Sequence, residues 1–153
     1  MFIFTAKLNK KKAIVIVLAI ALILTAIIVL AGRRDRDTTY IPAETAADIV
    51  AYLENLGWQV APEPIEVQEI LIPREFDAVY EAYNVMQIEA GFDLRDHRGR
   101  PATRYRWQVL NYPGQTEGVI ADVLVSGGYI IGGDIQSVTI DGFIHGLFPN
   151  RSV

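Results

Sequence analysis

The chain contains no cysteine. That excludes a disulfide, a thiolate zinc site, a thiol nucleophile and a lipid carried on sulfur. Lysine stops at residue 12, and Lys7, Lys10, Lys11 and Lys12 are the whole supply. From Thr38 onward seven arginines face sixteen aspartates and glutamates, a net charge of −9, whereas residues 1–37 carry +5. An acidic, lysine-free domain lacks the basic footprint of a nucleic-acid binder. Serine is scarce as well: Ser126, Ser137 and Ser152 are the only ones, and no Gly-x-Ser-x-Gly occurs, so the nucleophile elbow of a hydrolase is missing. The pairs Gly127-Gly128 and Gly132-Gly133 lie between expected strands, not ahead of a helix with Lys-Ser/Thr, and do not make a phosphate loop. There is no internal repeat.

What the chain does have is one long apolar run. The basic cluster Lys7–Lys12 is followed by Ala13 to Ala31, with Thr25 its only hydroxyl, and then by Gly32-Arg33-Arg34-Asp35-Arg36-Asp37. A helix of that length spans roughly 28 Å, close to the hydrocarbon thickness of a bilayer. Backbone groups in lipid must be satisfied internally, so the run is expected to be a transmembrane helix. Lysine and arginine set orientation, which puts the N-terminus in the cytoplasm and the rest of the chain outside. Val29-Leu30-Ala31 would also suit cleavage after Ala31, but the run is longer than the usual signal-peptide core, which favours an uncleaved signal anchor.

The expected organisation is a cytoplasmic tail at residues 1–12, an anchor at 13–31, a stalk at 32–44, an extracytoplasmic domain at 45–148 and a short tail at 149–153. Within the domain, Thr45 and Asp48 read as a capping box opening a helix to Leu56, closed by Gly57. A short strand is expected at Trp58–Val60, another at Ile65–Ile72. A second helix is expected from Arg74 to Ala90, with Phe76, Val79, Tyr80, Tyr83, Met86 and Ala90 as its apolar stripe. Thr103–Tyr112 alternates, with Tyr105, Trp107 and Val109 on one face and Arg104, Arg106 and Gln108 on the other. Val119–Ser126 and Tyr129–Val138 form a hairpin about Gly127-Gly128, with a bulge expected at Gly132-Gly133. Short turns imply antiparallel neighbours. The fold class is therefore α+β: a meander sheet covered on one face by two helices.

Two side-chain groups are candidates for function. Arg95, Arg98, Arg100, Arg104 and Arg106 fall within twelve residues, and guanidinium forks suit a carboxylate or phosphate, hence an anion or acidic partner. The competing reading is internal pairing with Glu66, Glu69, Glu75, Asp77 and Glu81. The second group is Asp134, Asp141 and His145, which a metal-dependent enzyme or envelope hydrolase would need in one cleft. His97 is the only other histidine, so a zinc site would need carboxylates to complete it. No catalytic, cofactor or metal site is assigned from these patterns.

The series Ala51-Tyr52-Leu53-Glu54-Asn55-Leu56-Gly57-Trp58, Val67–Pro73, Phe76–Tyr80, Tyr83-Asn84, Gly91–Leu94, Asn111-Tyr112-Pro113, Ile131–Asp134 and Asp141–Leu147 resembles the bacterial family called domain of unknown function 4830. The resemblance spans roughly Ala47 to Leu147. It implies a membrane-anchored or exported protein of Gram-positive bacteria, and it supplies no activity and no catalytic residues to carry over. The expectation is a single-pass membrane protein with a non-catalytic binding domain, engaging the membrane through residues 13–31 and a protein partner in the cell envelope. The alternatives are the enzyme just described and a structural subunit whose anchor packs through Ala19, Ala21 and Ala26.

Overall fold

A computed structural model describes residues 20–22, 25, 40–115 and 117–148. The chain divides into two compact units, Met1–Asp37 and Thr38–Val153. In the first unit only Ile20–Leu22 and Thr25 are described; they are helical, and the Thr25 hydroxyl donates to the carbonyls of Ala21 and Leu22. The expected anchor otherwise lies outside the described residues, as do the cytoplasmic tail and residues 149–153. Among the described residues no helix is long and apolar enough to cross a membrane.

The second unit is an α+β domain built on a six-stranded antiparallel sheet. The strands are β1 (Ile41–Pro42), β2 (Glu66–Leu71), β3 (Pro101–Gln108), β4 (Val119–Ser126), β5 (Tyr129–Ser137) and β6 (Ile144–Gly146). Their order is β1-β5-β4-β3-β2, with β6 also pairing β5. Helix α1 (Ala46–Asn55) precedes β2, and helix α2 (Ala78–Glu89) with a 3-10 turn (Leu94–His97) joins β2 to β3.

Local chemistry accounts for most of these limits. Thr45 and Asp48 form the reciprocal capping box at the start of α1, satisfying two of the orphan amides of its first turn. Gly57 ends it at φ +95°, a conformation that costs glycine little. The hairpin β4–β5 turns through Gly127 and Gly128 at φ +60° and +82°, the geometry of a tight two-residue loop. The Asp77 side chain accepts from the Tyr80 amide, so α2 starts at Ala78, four residues later than expected. Trp58–Val60 makes only an isolated bridge, Val60 to Val109. Ile41–Pro42, placed in the stalk by the sequence, instead pairs with Tyr129–Ile130.

The two helices do not share a face of the sheet, contrary to expectation. On one face, Trp107 with Ala121, Val123, Val125, Ile130 and Ile135 packs against Ile49 and Leu53 of α1. On the other, Ala102, Leu124 and Ile131 pack against Phe76, Tyr80 and Tyr83 around α2. The reason is alternation: the α1 face of β3 and β4 is largely apolar, whereas on the opposite face Arg104, Arg106 and Asp122 interrupt Ala102 and Leu124. That polar face needs a cover with hydroxyls, which α2 supplies.

Helix α2 is also anchored differently from its expected stripe. Val79 is 78% exposed, whereas Asn84 and Gln87 are fully buried. Strand β1 reaches β5 only at Tyr129–Ile130, and β6 only at Asp134–Gln136. Between them Gly133 has no strand partner on that edge. The Gln87 carboxamide fills the gap: its Nε2 donates to the Gly133 carbonyl at 3.0 Å and its Oε1 accepts from the Gly133 amide at 2.8 Å. A Cβ at Gly132 would sit 2.8 Å from Gln87 Oε1, and one at Gly133 would collide with the Asp122 carbonyl. The glycine pair thus marks close approach of a helix side chain to bare backbone. Register shifts beside it, at Leu124/Val125.

Replacing Gln87 by leucine keeps the volume roughly but leaves two backbone groups of Gly133 buried and unpaired. A loss of about 2–4 kcal/mol is expected, measured by denaturant unfolding, with the largest gain in amide exchange along Ile131–Asp134.

Candidate functional site

Alternation along β3 sends Arg104 and Arg106 to the α2 side of the sheet. Register then aligns Arg106 with Asp122 of β4 and Asp122 with Asp134 of β5. One cation and two carboxylates form a row across three strands, at the roughly 4.8 Å spacing of neighbouring strands. Both aspartates are only 3% exposed.

The two acids are treated unequally. Arg106 grips Asp122 with a fork, Nε to Oδ1 at 2.8 Å and Nη2 to Oδ2 at 2.7 Å, a geometry that strengthens a charge pair. Gln136 donates a further bond to Asp122 at 2.9 Å, and Nη1 of Arg106 reaches Glu66 of β2 at 3.1 Å. The bond to Asp122 raises the Arg106 guanidinium above its ordinary value. Asp134 receives one bond, from the Tyr83 hydroxyl to Oδ2 at 2.8 Å. Its Oδ1 is buried and has no partner among the described residues. Burial therefore pushes the Asp134 carboxyl up from 3.8 to about 7, with the charge of Asp122 adding to the shift and Tyr83, Arg106 and Arg104 opposing it. Burial also raises the Tyr83 phenol well above its ordinary value, reinforced by Asp134.

Arg104 leans the other way, toward β2. Its Nη2 donates to Gln68 at 2.6 Å and lies 3.5 Å from Glu66, while its Nε is buried and unbonded. Over this row lies a half-open cavity of about 300 Å³, floored by Arg104, Arg106, Asp122 and Asp134 and walled by Tyr80, Tyr83, Ile70, Leu124 and Ile144. It lies on the α2 face of the sheet, with charged side chains in its floor and aromatic and aliphatic ones around them.

The five candidate arginines do not form one site. Arg95 pairs with Glu81 at 2.8 Å, and Arg98 lies 3.6 Å from the same carboxylate with its guanidinium 4.7 Å from the Phe76 ring centre. Arg100 is exposed. Only Arg104 and Arg106 enter the pocket. Internal pairing accounts for much of the cluster, through Glu81 and Glu66.

Asp134, Asp141 and His145 are not brought together either. His145 opposes Ile135 across the β5–β6 ladder, and Asp134 opposes Gly146, so alternation turns the two side chains to opposite faces. His145 lies in an aromatic stack, 5.5 Å from the Phe143 ring, with its Nε2 3.2 Å from the Tyr112 hydroxyl. Asp141 sits in the exposed turn before β6. Among the described residues no group of three or more histidines and acids could hold a metal ion.

Asp122 and Gln87 are the residues around this pocket that sequence reasoning passed over; Tyr83, expected in the stripe of the second helix, lines the pocket. A signal existed for one of them: Asp122 interrupts Val119-Ile120-Ala121 and Val123-Leu124-Val125, and a charge inside so apolar a strand must be paired.

The model of the family described as "Domain of unknown function (DUF4830)" matches residues 52–135, more than half of the chain. The chain belongs to that family. No curated protein and no solved structure matches it. The DUF4830 match contains Arg104, Arg106, Asp122, Asp134 and Tyr83, so the polar row lies wholly inside it. His145 and Asp141 fall beyond its end.

Two predictions follow from the geometry. Arg106→Gln strands the Asp122 carboxylate and is expected to cost about 3–5 kcal/mol in unfolding free energy, whereas Arg98→Gln stays within about 1 kcal/mol. Equal effects would show that Arg106 is no more buried in its network than a surface arginine. The second concerns pH. Asp134 titrates near 3.8 when unfolded and near 7 when folded, so between those values the native state holds the extra proton. Stability falls as pH rises through that window, by up to about 1.4 kcal/mol per pH unit. Going from pH 5 to 7.5, the Tm of the wild-type protein should drop relative to that of Asp134→Asn. His97, lowered by burial, acts in the opposite direction but is common to both proteins. Parallel pH profiles would mean an ordinary Asp134.

Proposed function

We propose that this DUF4830 chain is a single-pass membrane protein whose outer domain is a non-catalytic binding module, with the pocket under α2 as its recognition site. The observation that carries the reading is the buried Asp134 oxygen left unbonded in the pocket floor. Buried polar groups are nearly always satisfied, and an exception calls for a reason; an incoming ligand group is the reason offered here. The separation of His145 from Asp134 on opposite faces of the sheet supports binding over acid–base chemistry. The apolar run Ala13–Ala31, its lysine-rich leading edge and the acidic composition beyond it support an anchor with an inside N-terminus.

The absence of cysteine makes the topology directly testable. In intact cells a membrane-impermeant maleimide should label Glu117→Cys, and should label Asn9→Cys only after permeabilisation. Labelling of both, or of Asn9→Cys alone, would overturn the orientation. For the binding module, a small-molecule screen by NMR should return compounds that shift the methyl signals of Ile70, Leu124 and Ile144. If no compound and no partner protein shifts them, the pocket is not a recognition site.

A further inference from the structure

Resting on that reading of the pocket, we infer that its ligand is a primary ammonium group on an aliphatic stem, held by Asp134 beneath the rings of Tyr80 and Tyr83.

The charges in and around the pocket do not balance. Three carboxylates, Glu66, Asp122 and Asp134, meet two guanidinium groups, Arg104 and Arg106. The imbalance is also lopsided. Arg106 is fully engaged by Asp122 and Glu66, and Arg104 is drawn toward Gln68 and Glu66 on β2. Strand β2 and strand β5 are separated by two intervening strands. The negative end of the cavity is therefore the β5 end, where Asp134 accepts from Tyr83 of α2, with Asp122 on the adjoining strand. An anion placed there would meet two carboxylates. A neutral hydroxyl would fill the hydrogen bond but leave the charge uncompensated. A cation with N–H donors supplies both.

The walls agree with this chemistry. Tyr80 and Tyr83 stand edge to face with centroids 5.9 Å apart, and phenol rings attract a nearby ammonium. Ile70, Leu124 and Ile144 line the remainder and suit an alkyl stem. The volume, about 300 Å³, is at the small end of organic-ligand sites and matches a single alkylammonium, not a large cofactor. Asp134 Oδ1 has almost no exposed surface of its own. Binding therefore requires a rotation about its terminal torsion, which is soft for a carboxylate, to turn that oxygen to the ligand while the other keeps the Tyr83 hydroxyl. The titration of Asp134 near 7 gives the event a signature: a carboxyl that is partly protonated at pH 7 when empty and ionised when an ammonium arrives releases a fraction of a proton on binding.

The same chemistry is carried by a free small amine and by a lysine side chain of another protein. The test uses the full chain in detergent micelles at pH 7, titrated with n-pentylamine, n-pentanol, pentanoate and N-acetyl-lysine-N′-methylamide. The expected result is that an amine shifts the Ile70, Leu124 and Ile144 methyl signals and binds at least about tenfold more tightly than the alcohol, with no binding of the carboxylate. Calorimetry in buffers of different ionisation enthalpy should show proton release with the amine. Asp134→Asn should weaken amine binding by about tenfold or more and abolish the proton release. Tighter binding of the blocked lysine assigns the group to a partner protein; tighter binding of pentylamine assigns it to a small molecule. Equal binding of amine and alcohol, a comparison that needs no variant, overturns the inference, and so does an Asp134→Asn protein that binds the amine unchanged. If amines fail while another class of compound shifts the same methyls, the ammonium assignment falls and the pocket remains a recognition site. If nothing shifts them, both fall.

Discussion

The pairing of the Gln87 carboxamide with both backbone groups of Gly133 is the contact from which the rest of the domain's architecture follows. Strand β5 is the hub of the sheet, bonded to β4 along one edge and to two short strands along the other. Those two leave a gap, and in a buried setting unpaired backbone is costly. Gln87 closes it with a side chain that imitates a strand. In doing so it fixes the distance and rotation of α2. Tyr83, one helical turn earlier, is then held over Asp134, and Tyr80 over the neighbouring apolar floor. Asn84 secures the next segment by donating to Asp93 and accepting from the Leu94 amide.

The two faces of the sheet divide labour. The α1 face is a hydrophobic core with fully buried Trp107, Ile49, Leu53 and Ile135, and it carries most of the apolar burial expected to stabilise a domain of this size. The C-terminal segment is tied into that side through the Trp58 indole, which donates to the Leu147 carbonyl at 2.6 Å. The α2 face is thinner and polar. It holds an ionic row whose members are mutually dependent: Asp122 is tolerable because Arg106 and Gln136 surround it, and Arg106 is held in turn by Glu66. A buried network of this kind adds little net stability but fixes geometry. Within it Asp134 is the under-satisfied member, buried among the residues that line the cavity.

Much of the scaffold is legible in the sequence. The Thr45–Asp48 cap, Gly57, the Gly127-Gly128 turn and the alternation of Tyr105, Trp107 and Val109 against Arg104 and Arg106 are local signals, and local physics fixes them. The site was less legible. Clustering along the chain made Arg95, Arg98, Arg100, Arg104 and Arg106 look like one group, yet three of them sit on the loop and its 3-10 turn and two on a strand. Asp134, Asp141 and His145 were candidates for one cleft, but Asp141 lies in the exposed turn before β6, and His145 follows the aromatic side of the sheet, opposite to Asp134. The stripe assigned to α2 was apolar, while the residues it buries most deeply are Asn84 and Gln87. An amphipathic pattern reports the average partner of a helix, and here the partner is bare backbone, which calls for an amide.

Composition and pattern alone determined the lysine-free acidic character of the chain beyond Thr38, the antiparallel hairpins, the α+β class and the exclusion of thiol chemistry. These depend on residue type and on neighbours a few positions apart. Tertiary structure decided which face each helix covers, that Asp122 and Asp134 stand side by side, and that one of them is paired and the other left with a free oxygen. Those facts depend on register between strands far apart in sequence and on a side chain of α2 reaching the edge of β5, and no periodicity within a single element encodes them.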